Sequence, residues 1–304
     1  MSAQSGGKRV KGNQTVRSPL VTATFLVVAL GIAQSAAALN FTTIDFPGAA
    51  GTNAYGVNAS GDIVGFYTDS SPSSAEHGYL LSGGTFTTID VPSATDTRAL
   101  GIDQKGDIVG EFVDAASIEH GFLLRKNNSL LTIDDPDAVS FTDCWGIALG
   151  ERTVGSFSDS MALAHGYLRT KNGTFTTIDF PGATETEARG INPQGTIVGF
   201  FADGSSPEHG YMRSKGGALT MIDVPGAVST LPQGINVRED IVGNYSDAAL
   251  VDHGYFMTRT GSFITIDVPS ATTTSAQGIN NFREVVGSFV DSASNHHGYR
   301  TQLP

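Results

Sequence analysis

The chain has few charged residues, a single cysteine and none of the common enzyme motifs. Charged side chains make up 16% of its 304 residues, against about 25% in a typical soluble domain. Cys144 is the only cysteine, so no disulfide can form within the chain. Lys and Arg number 18 against 30 Asp and Glu, a net charge of −12, which excludes a nucleic-acid binder that works by neutralising phosphates. The sequence contains no G-x-S-x-G, H-E-x-x-H, phosphate-loop or EF-hand pattern. These absences favour a protein that is not an enzyme.

The first 38 residues have the pattern of an export signal. Four basic residues (Lys8, Arg9, Lys11 and Arg17) precede an uncharged run over residues 20–33, and Ala36 and Ala38 form a small-x-small cleavage site. An uncleaved membrane anchor is the alternative, but Gln34 and Ser35 interrupt the end of the run. We therefore predict a signal peptide over residues 1–38 and a secreted, extracellular or periplasmic mature protein over residues 39–304.

What is abundant is glycine, with 37 residues, and it recurs within a six-fold repeat that fills residues 41–304. The string F-T-T-I-D, or a close variant, returns every 44 or 45 residues. Each copy continues with a loop that ends in Thr, a short G-I-N strand, an I-V-G strand that ends in a second Asp, and a His-Gly-aromatic strand. The recurrent polar residues are Asp45, Asp90, Asp134, Asp179, Asp223 and Asp267; Thr52, Thr97, Thr142, Thr186, Thr230 and Thr274; Asp69, Asp114, Asp159, Asp203, Asp247 and Asp291; and His77, His120, His165, His209, His253 and His297.

Four short β-strands in each repeat predict one blade of a propeller, so the sequence predicts an all-β, six-bladed β-propeller in a single domain. The alternative is an open β-solenoid, which would favour shorter repeats and capping units. The last copy stops after Arg300, while an extra F-T-T-I-D strand over residues 41–45 precedes the first complete set. We therefore expect that strand to complete the sixth blade as its outermost strand and to close the ring.

The repeats resemble those of the bacterial extracellular HAF-repeat proteins. The shared features are G-I-N-x-x-G-x-I-V-G, as in residues 190–199, and the histidine-led tripeptide, as in His209-Gly210-Tyr211. The chain departs from the family in having His-Gly-Tyr or His-Gly-Phe in place of His-Ala-Phe. The third and the last two copies also lack the turn glycine or have it displaced. The resemblance implies export and a repeat fold, but no particular activity.

The recurrent Asp, Thr and His residues are predicted to be structural. The pattern occurs in all six copies, whereas an active site is a single asymmetric place. All four positions fall at one end of the strands, where an Asp–His–Thr hydrogen-bond network can form within each blade. A ring of metal sites and a set of repeated ligand sites remain as alternatives.

Three positions vary inside this constant frame and predict where a ligand binds. Two of them flank a nearly constant residue shortly before G-I-N, which is Ala54 in the first copy, and the third follows I-V-G. Their polar and aromatic extremes fall in the second to fourth copies, close to the single Trp. The candidate ligand-binding residues are Tyr55, Arg98, Glu111, Asp143, Trp145, Glu187 and Arg189. Tolerated loop variation is the alternative interpretation.

We predict a non-enzymatic, monomeric binding module for a carbohydrate, cell-surface or protein ligand at the mouth of the central channel. Nucleic acid is excluded as a partner, and so is the membrane once the signal is cleaved. The alternatives are a propeller hydrolase or lyase with one site, which Ca²⁺ would assist, and a structural envelope protein. No resident cofactor is predicted; a Ca²⁺ ion held by Asp134, Asp135 and Asp137 is the alternative. Cys144 is expected to be a small buried strand residue.

Overall fold

The computed structural model describes residues 39–204 and 207–304, which form six four-stranded antiparallel sheets arranged in a ring. The six-bladed propeller predicted from the repeats is confirmed, and the open solenoid is wrong. In the described part of the chain, no helix is long and apolar enough to cross a membrane. The predicted signal peptide lies outside the described residues.

The first three blades are built in chain order from the channel outwards. Blade one contains β2 (Gly51–Val57), β3 (Ile63–Thr68), β4 (Glu76–Ser82) and β5 (Thr85–Ile89). Blade two contains β6 (Asp96–Ile102), β7 (Ile108–Val113), β8 (Glu119–Leu124) and β9 (Leu130–Ile133). Blade three contains β10 (Gly146–Ala148), β11 (Arg152–Ser158), β12 (Ala164–Arg169) and β13 (Phe175–Ile178). The strand that precedes blade one at the start of the described chain is β1 (Phe41–Ile44).

The last three blades repeat this order, and the sixth is completed by β1. Blade four contains β14 (Glu185–Ile191), β15 (Ile197–Ala202), β16 (His209–Arg213) and β17 (Leu219–Ile222). Blade five contains β18 (Ser229–Ile235), β19 (Ile241–Ser246), β20 (Asp252–Met257) and β21 (Phe263–Ile266). Blade six contains β22 (Thr273–Ile279), β23 (Glu284–Val290), β24 (His296–Gln302) and β1.

The ring closes through pairing between the two ends of the chain. Strand β1 pairs antiparallel with β24, with Phe41 opposite Thr301 and Ile44 opposite Gly298. The predicted closure by the first strand is therefore confirmed. Pairing in this way covers the outer edge of β24, which would otherwise be open to other chains.

The hydrophobic core lies between neighbouring blades. The I-V-G strands are buried on both faces, and successive side chains point to opposite faces of a sheet. In blade four, Ile197 packs with residues of blade three, such as Val154, while Val198 packs with residues of blade five, such as Ile235. The Ile-Val pair of each I-V-G strand therefore joins three blades, which explains why two consecutive residues of this strand are both apolar.

Candidate ligand-binding site at the channel mouth

We use the term mouth face for the end of the ring at which the innermost strands begin. The recurrent Asp, Thr and His residues all lie at this end, as predicted. Each His Nδ1 lies 2.8–3.0 Å from a carboxylate oxygen of the Asp that follows the outermost strand of its blade. In five blades the His Nε2 also lies 3.4–3.7 Å from the second Asp; these are His77, His120, His165, His253 and His297.

In these five blades the network is Asp–His–Asp, and the recurrent Thr of all six blades has a different role. Each Thr hydroxyl accepts a hydrogen bond of 2.9–3.1 Å from the backbone N–H directly after the outer-strand Asp. Thr52, for example, accepts from Phe46, and Thr97 accepts from Val91. The Thr therefore holds the loop that leads from one blade to the next, which corrects the predicted Asp–His–Thr contact.

The channel is lined by residues that are skipped in the pairing between each innermost strand and its neighbour. In five innermost strands the pairing shifts at one residue, as between Ala188 and Gly190 in β14. The displaced residues are Tyr55, Leu100, Arg189, Gln233 and Gln277, and Trp145 takes the same place in blade three. A β-bulge re-aims one side chain, and these six line a central cavity of about 80 Å³.

Glycine after each displaced residue lets the innermost strands approach closely. A methyl group on Gly146 would lie 2.7 Å from the carbonyl oxygen of Arg189, and one on Gly278 would lie 2.4 Å from that of Tyr55. No side chain fits at such distances, so the channel stays narrow. Its chemistry is therefore set by the six displaced side chains.

One side of the channel combines aromatic and charged groups. The guanidinium carbon of Arg189 lies 3.5 Å from the centre of the Trp145 ring, a cation–π contact. The Tyr55 and Trp145 rings lie 6.1 Å apart, and Arg189 also forms an ion pair with Glu187. Trp145 Nε1 and Arg189 Nε are buried without a hydrogen-bond partner in the described structure. This wall therefore offers two hydrogen-bond donors to a ligand that displaces a neighbouring side chain.

Carboxylates gather beside this wall, where blade two meets blade three. Glu111 on β7, Glu119 at the start of β8 and Asp143 before β10 each place an oxygen within 4.8 Å of the others. Arg98 pairs with Glu111 at 2.5 Å and also with Glu76. The result is a connected group of four acids, two of which pair with the Arg98 guanidinium.

Two of these carboxyl groups hold their protons at unusually high pH. Burial raises the pKa of Glu119 to about 8, and the nearby charges of Glu111 and Asp143 add to the effect. Burial also raises the pKa of Asp143 to about 7, assisted by the charges of Glu187 and Glu111. Asp143 is held in place by the Ser156 hydroxyl, which donates to Asp143 Oδ2 at 2.9 Å.

The seven residues predicted from variable positions therefore lie in one connected patch. One part is the aromatic wall with Tyr55, and the other is the carboxylate group with Arg98. Asp143 connects them, because the charges of both Glu111 and Glu187 raise its pKa. Sequence reasoning missed Glu119 and Glu76. Both stand directly before the recurrent His, a position that also varies among the repeats: Glu76, Glu119, Ala164, Glu208, Asp252 and His296.

The acidic turn over residues 134–137, the alternative Ca²⁺ site, is organised by hydrogen bonds of its own side chains. Asp134 Oδ1 lies 2.8 Å from His120 Nδ1, and Asp135 Oδ1 accepts a hydrogen bond from the Asp137 N–H at 2.9 Å. Within residues 39–204 and 207–304, the acidic group close enough to share one ion is Glu111, Glu119 and Asp143.

Comparison with solved structures shows the propeller fold. No family model and no curated protein matches the sequence. A putative TolB from Agrobacterium tumefaciens is similar with a TM-score of 0.58 at 13% identity, over 83% of this chain and 90% of that one. A streptogramin B lyase is similar with a TM-score of 0.50 at 14% identity, over 88% of both chains. Aleuria aurantia lectin in complex with Fucα1-6GlcNAc is similar with a TM-score of 0.51 at 12% identity, over 83% and 91%. These identities support the fold alone, so the HAF-repeat resemblance stays a prediction.

Proposed function

We propose that the chain is an exported, non-enzymatic binding module whose ligand docks on the mouth face over blades two to four. The observation that carries this proposal is the asymmetry of the ring. The charged and aromatic variable residues form one connected patch, whereas blades five and six carry uncharged residues at the same positions. Those residues are Leu231, Gln233, Asn244, Ser275, Gln277 and Ser288.

A glycan is the ligand class that the patch suits best. Trp145 and Tyr55 provide aromatic faces for the apolar side of a sugar ring. Glu111, Glu187 and the two arginines beside them provide charge-assisted hydrogen bonds for hydroxyl groups. A cell-surface or protein ligand would use the same groups.

The test compares one position in two blades. Trp145→Leu introduces the residue that blade two carries at that place, Leu100, and Gln277→Leu is the matched control on the other side of the channel. A glycan array followed by calorimetry on the purified protein should find a ligand whose affinity falls at least tenfold in Trp145→Leu and is unchanged in Gln277→Leu. Equal affinities in the two variants, or silence across the array, would count against the proposal.

A hydrolase or lyase is the second candidate, and the paired carboxyl groups favour it. A general acid needs a pKa near the working pH, and Glu119 and Asp143 have such values. Glycans that bind should be incubated with the protein and examined for new reducing or unsaturated ends. Cleavage that disappears in Glu119→Gln would support the enzyme, and intact glycans would favour the binding module.

A further inference from the structure

The spacing of three carboxylates at the boundary of blades two and three suits a shared ion. Glu111, Glu119 and Asp143 come from three separate segments of the fold, and their nearest oxygens lie within 4.8 Å of one another. Oxygens bound to one Ca²⁺ at about 2.3–2.6 Å cannot lie more than about 5 Å apart. The backbone of two blades therefore already holds the carboxylates at the separation that a common ion requires.

The charge of the group is incomplete without a further positive partner. Arg98 is engaged by Glu76 and Glu111. The charges of Arg98 and Arg189 act on Glu119 and Asp143 respectively, but in the described part of the chain no basic side chain forms an ion pair with either carboxylate. Asp143 is 6% exposed, and an unpaired buried carboxylate costs several kcal/mol unless a proton or a cation neutralises it.

One buried oxygen in the group also lacks a partner. The Glu111 side chain is 4% exposed. While its Oε1 is paired with Arg98, its Oε2 is buried and accepts no hydrogen bond from an N–H group or a hydroxyl in the described structure. Buried carboxylate oxygens are normally satisfied. This acceptor therefore takes either a proton shared with Glu119 or a cation that binds between the carboxylates.

We propose that Glu111, Glu119 and Asp143 bind one hard divalent cation of the Ca²⁺ type at the mouth face. An all-carboxylate set suits Ca²⁺, Mg²⁺ or Mn²⁺ and does not suit soft metals that prefer thiolate or imidazole. The cation neutralises Glu119 and Asp143 and supplies the missing partner of Glu111 Oε2. The inference does not rest on the proposed function, because metal binding is measured without any glycan.

A shared proton is the rival occupant of the same place. Carboxyl groups that are buried within 4.8 Å of one another share protons when no cation is bound. A cation must displace these protons, and its affinity therefore rises with pH. Binding should be measured at about pH 8.5, where displacement is easiest, and repeated at about pH 6.

The experiment is a metal titration of the purified, chelator-treated full-length protein. Calorimetry with Ca²⁺ should show one site, and Tb³⁺ should give luminescence sensitised by Trp145, the only tryptophan and two residues from Asp143. Ca²⁺ should quench that signal by competition. Glu119→Gln should weaken binding at least tenfold, and Asp143→Asn should do so as well if it folds.

Two control variants locate the site. Asp252→Asn changes the residue of blade five that corresponds to Glu119, directly before its recurrent His; Asp137→Asn changes the acidic turn. Both should bind as the wild type does. The proposal is overturned if no cation binds at about pH 8.5, which would leave a shared proton only. It is also overturned if Glu119→Gln binds normally, or if Asp137→Asn is the variant that loses the ion.

Discussion

Replacing His297 by alanine should lower the melting temperature, because this side chain joins the two ends of the chain. Its Nδ1 lies 2.9 Å from Asp45 Oδ1, and its ring packs against Phe289 with centres 5.0 Å apart. A partly exposed hydrogen bond of this kind contributes about 1 kcal/mol, and a ring contact about 0.5–1.5 kcal/mol. The loss is therefore about 2 kcal/mol, which at about 2–4 °C per kcal/mol corresponds to a fall of about 4–8 °C in a chain of this size.

The size of this effect should depend on pH. Partial burial lowers the pKa of His297, but hydrogen bonds and charges from Asp45 and Asp291 outweigh it and leave the pKa raised. A histidine whose pKa is raised by folding stabilises the protein fully below its unfolded value of about 6.5. That contribution is lost as the pH rises through the folded pKa. The difference between wild type and His297→Ala should therefore be larger at about pH 6 than at about pH 9.

The assay is thermal unfolding followed by calorimetry or circular dichroism at both pH values. His296→Ala is the matched control, because His296 is the exposed neighbour of His297 on the same strand. Equal losses in the two variants, or no loss in His297→Ala at about pH 6, would refute the structural role of the Asp–His–Asp networks. Loss of ligand binding with unchanged stability would instead make His297 a ligand-binding residue.

Three further predictions follow from buried contacts. A methyl group on Gly110 would lie 1.9 Å from the carbonyl oxygen of Arg98. Gly110→Ala should therefore lower the free energy of unfolding by more than about 3 kcal/mol in denaturant titrations, whereas Gly216→Ala should leave it nearly unchanged. Tyr167→Phe removes a 2.7 Å hydrogen bond to the Asp143 carbonyl and should lower the free energy of unfolding by about 1 kcal/mol. Tyr255→Phe should lower it by less, because the described structure shows no partner for its hydroxyl. Equal costs would contradict this. Burial raises the pKa of the Cys144 thiol to about 12, so a disulfide reagent should modify this thiol only after unfolding; rapid reaction in the folded protein would show that the thiol is accessible.

The strands and their order could be predicted because every repeat carries the same local information. Runs such as Ile63-Val64 mark a strand that is buried on both faces, and the glycine-rich turns mark its ends. The extra copy of F-T-T-I-D predicted the pairing of β1 with β24, since a ring needs four strands in its last blade. Repetition also predicts a structural role for the recurrent Asp, Thr and His residues, which the His297→Ala variant tests.

The bulges could not be predicted, because they depend on how six innermost strands crowd around one axis. The shift between Ala188 and Gly190 turns Arg189 into the channel. The recurrent glycine permits a bulge there, but it does not indicate which side chain the bulge displaces. The Thr contacts were predicted wrongly for a related reason. Thr52 lies near the histidine end of the fold, but its hydroxyl is nearer to the backbone of the connecting loop.

The sequence by itself determined the period, the four strands of each blade and the presence of variable residues in a constant frame. These properties are local and repeat every 44 or 45 residues. Only the tertiary structure decided which variable residues meet. Glu119 and Asp143 lie 24 residues apart in different blades, and the parallel bridge between Glu119 and Phe141 brings them together. Charge interactions act over a few ångströms in space, so the chemistry of the mouth face follows from the packing of blades and not from the order of residues.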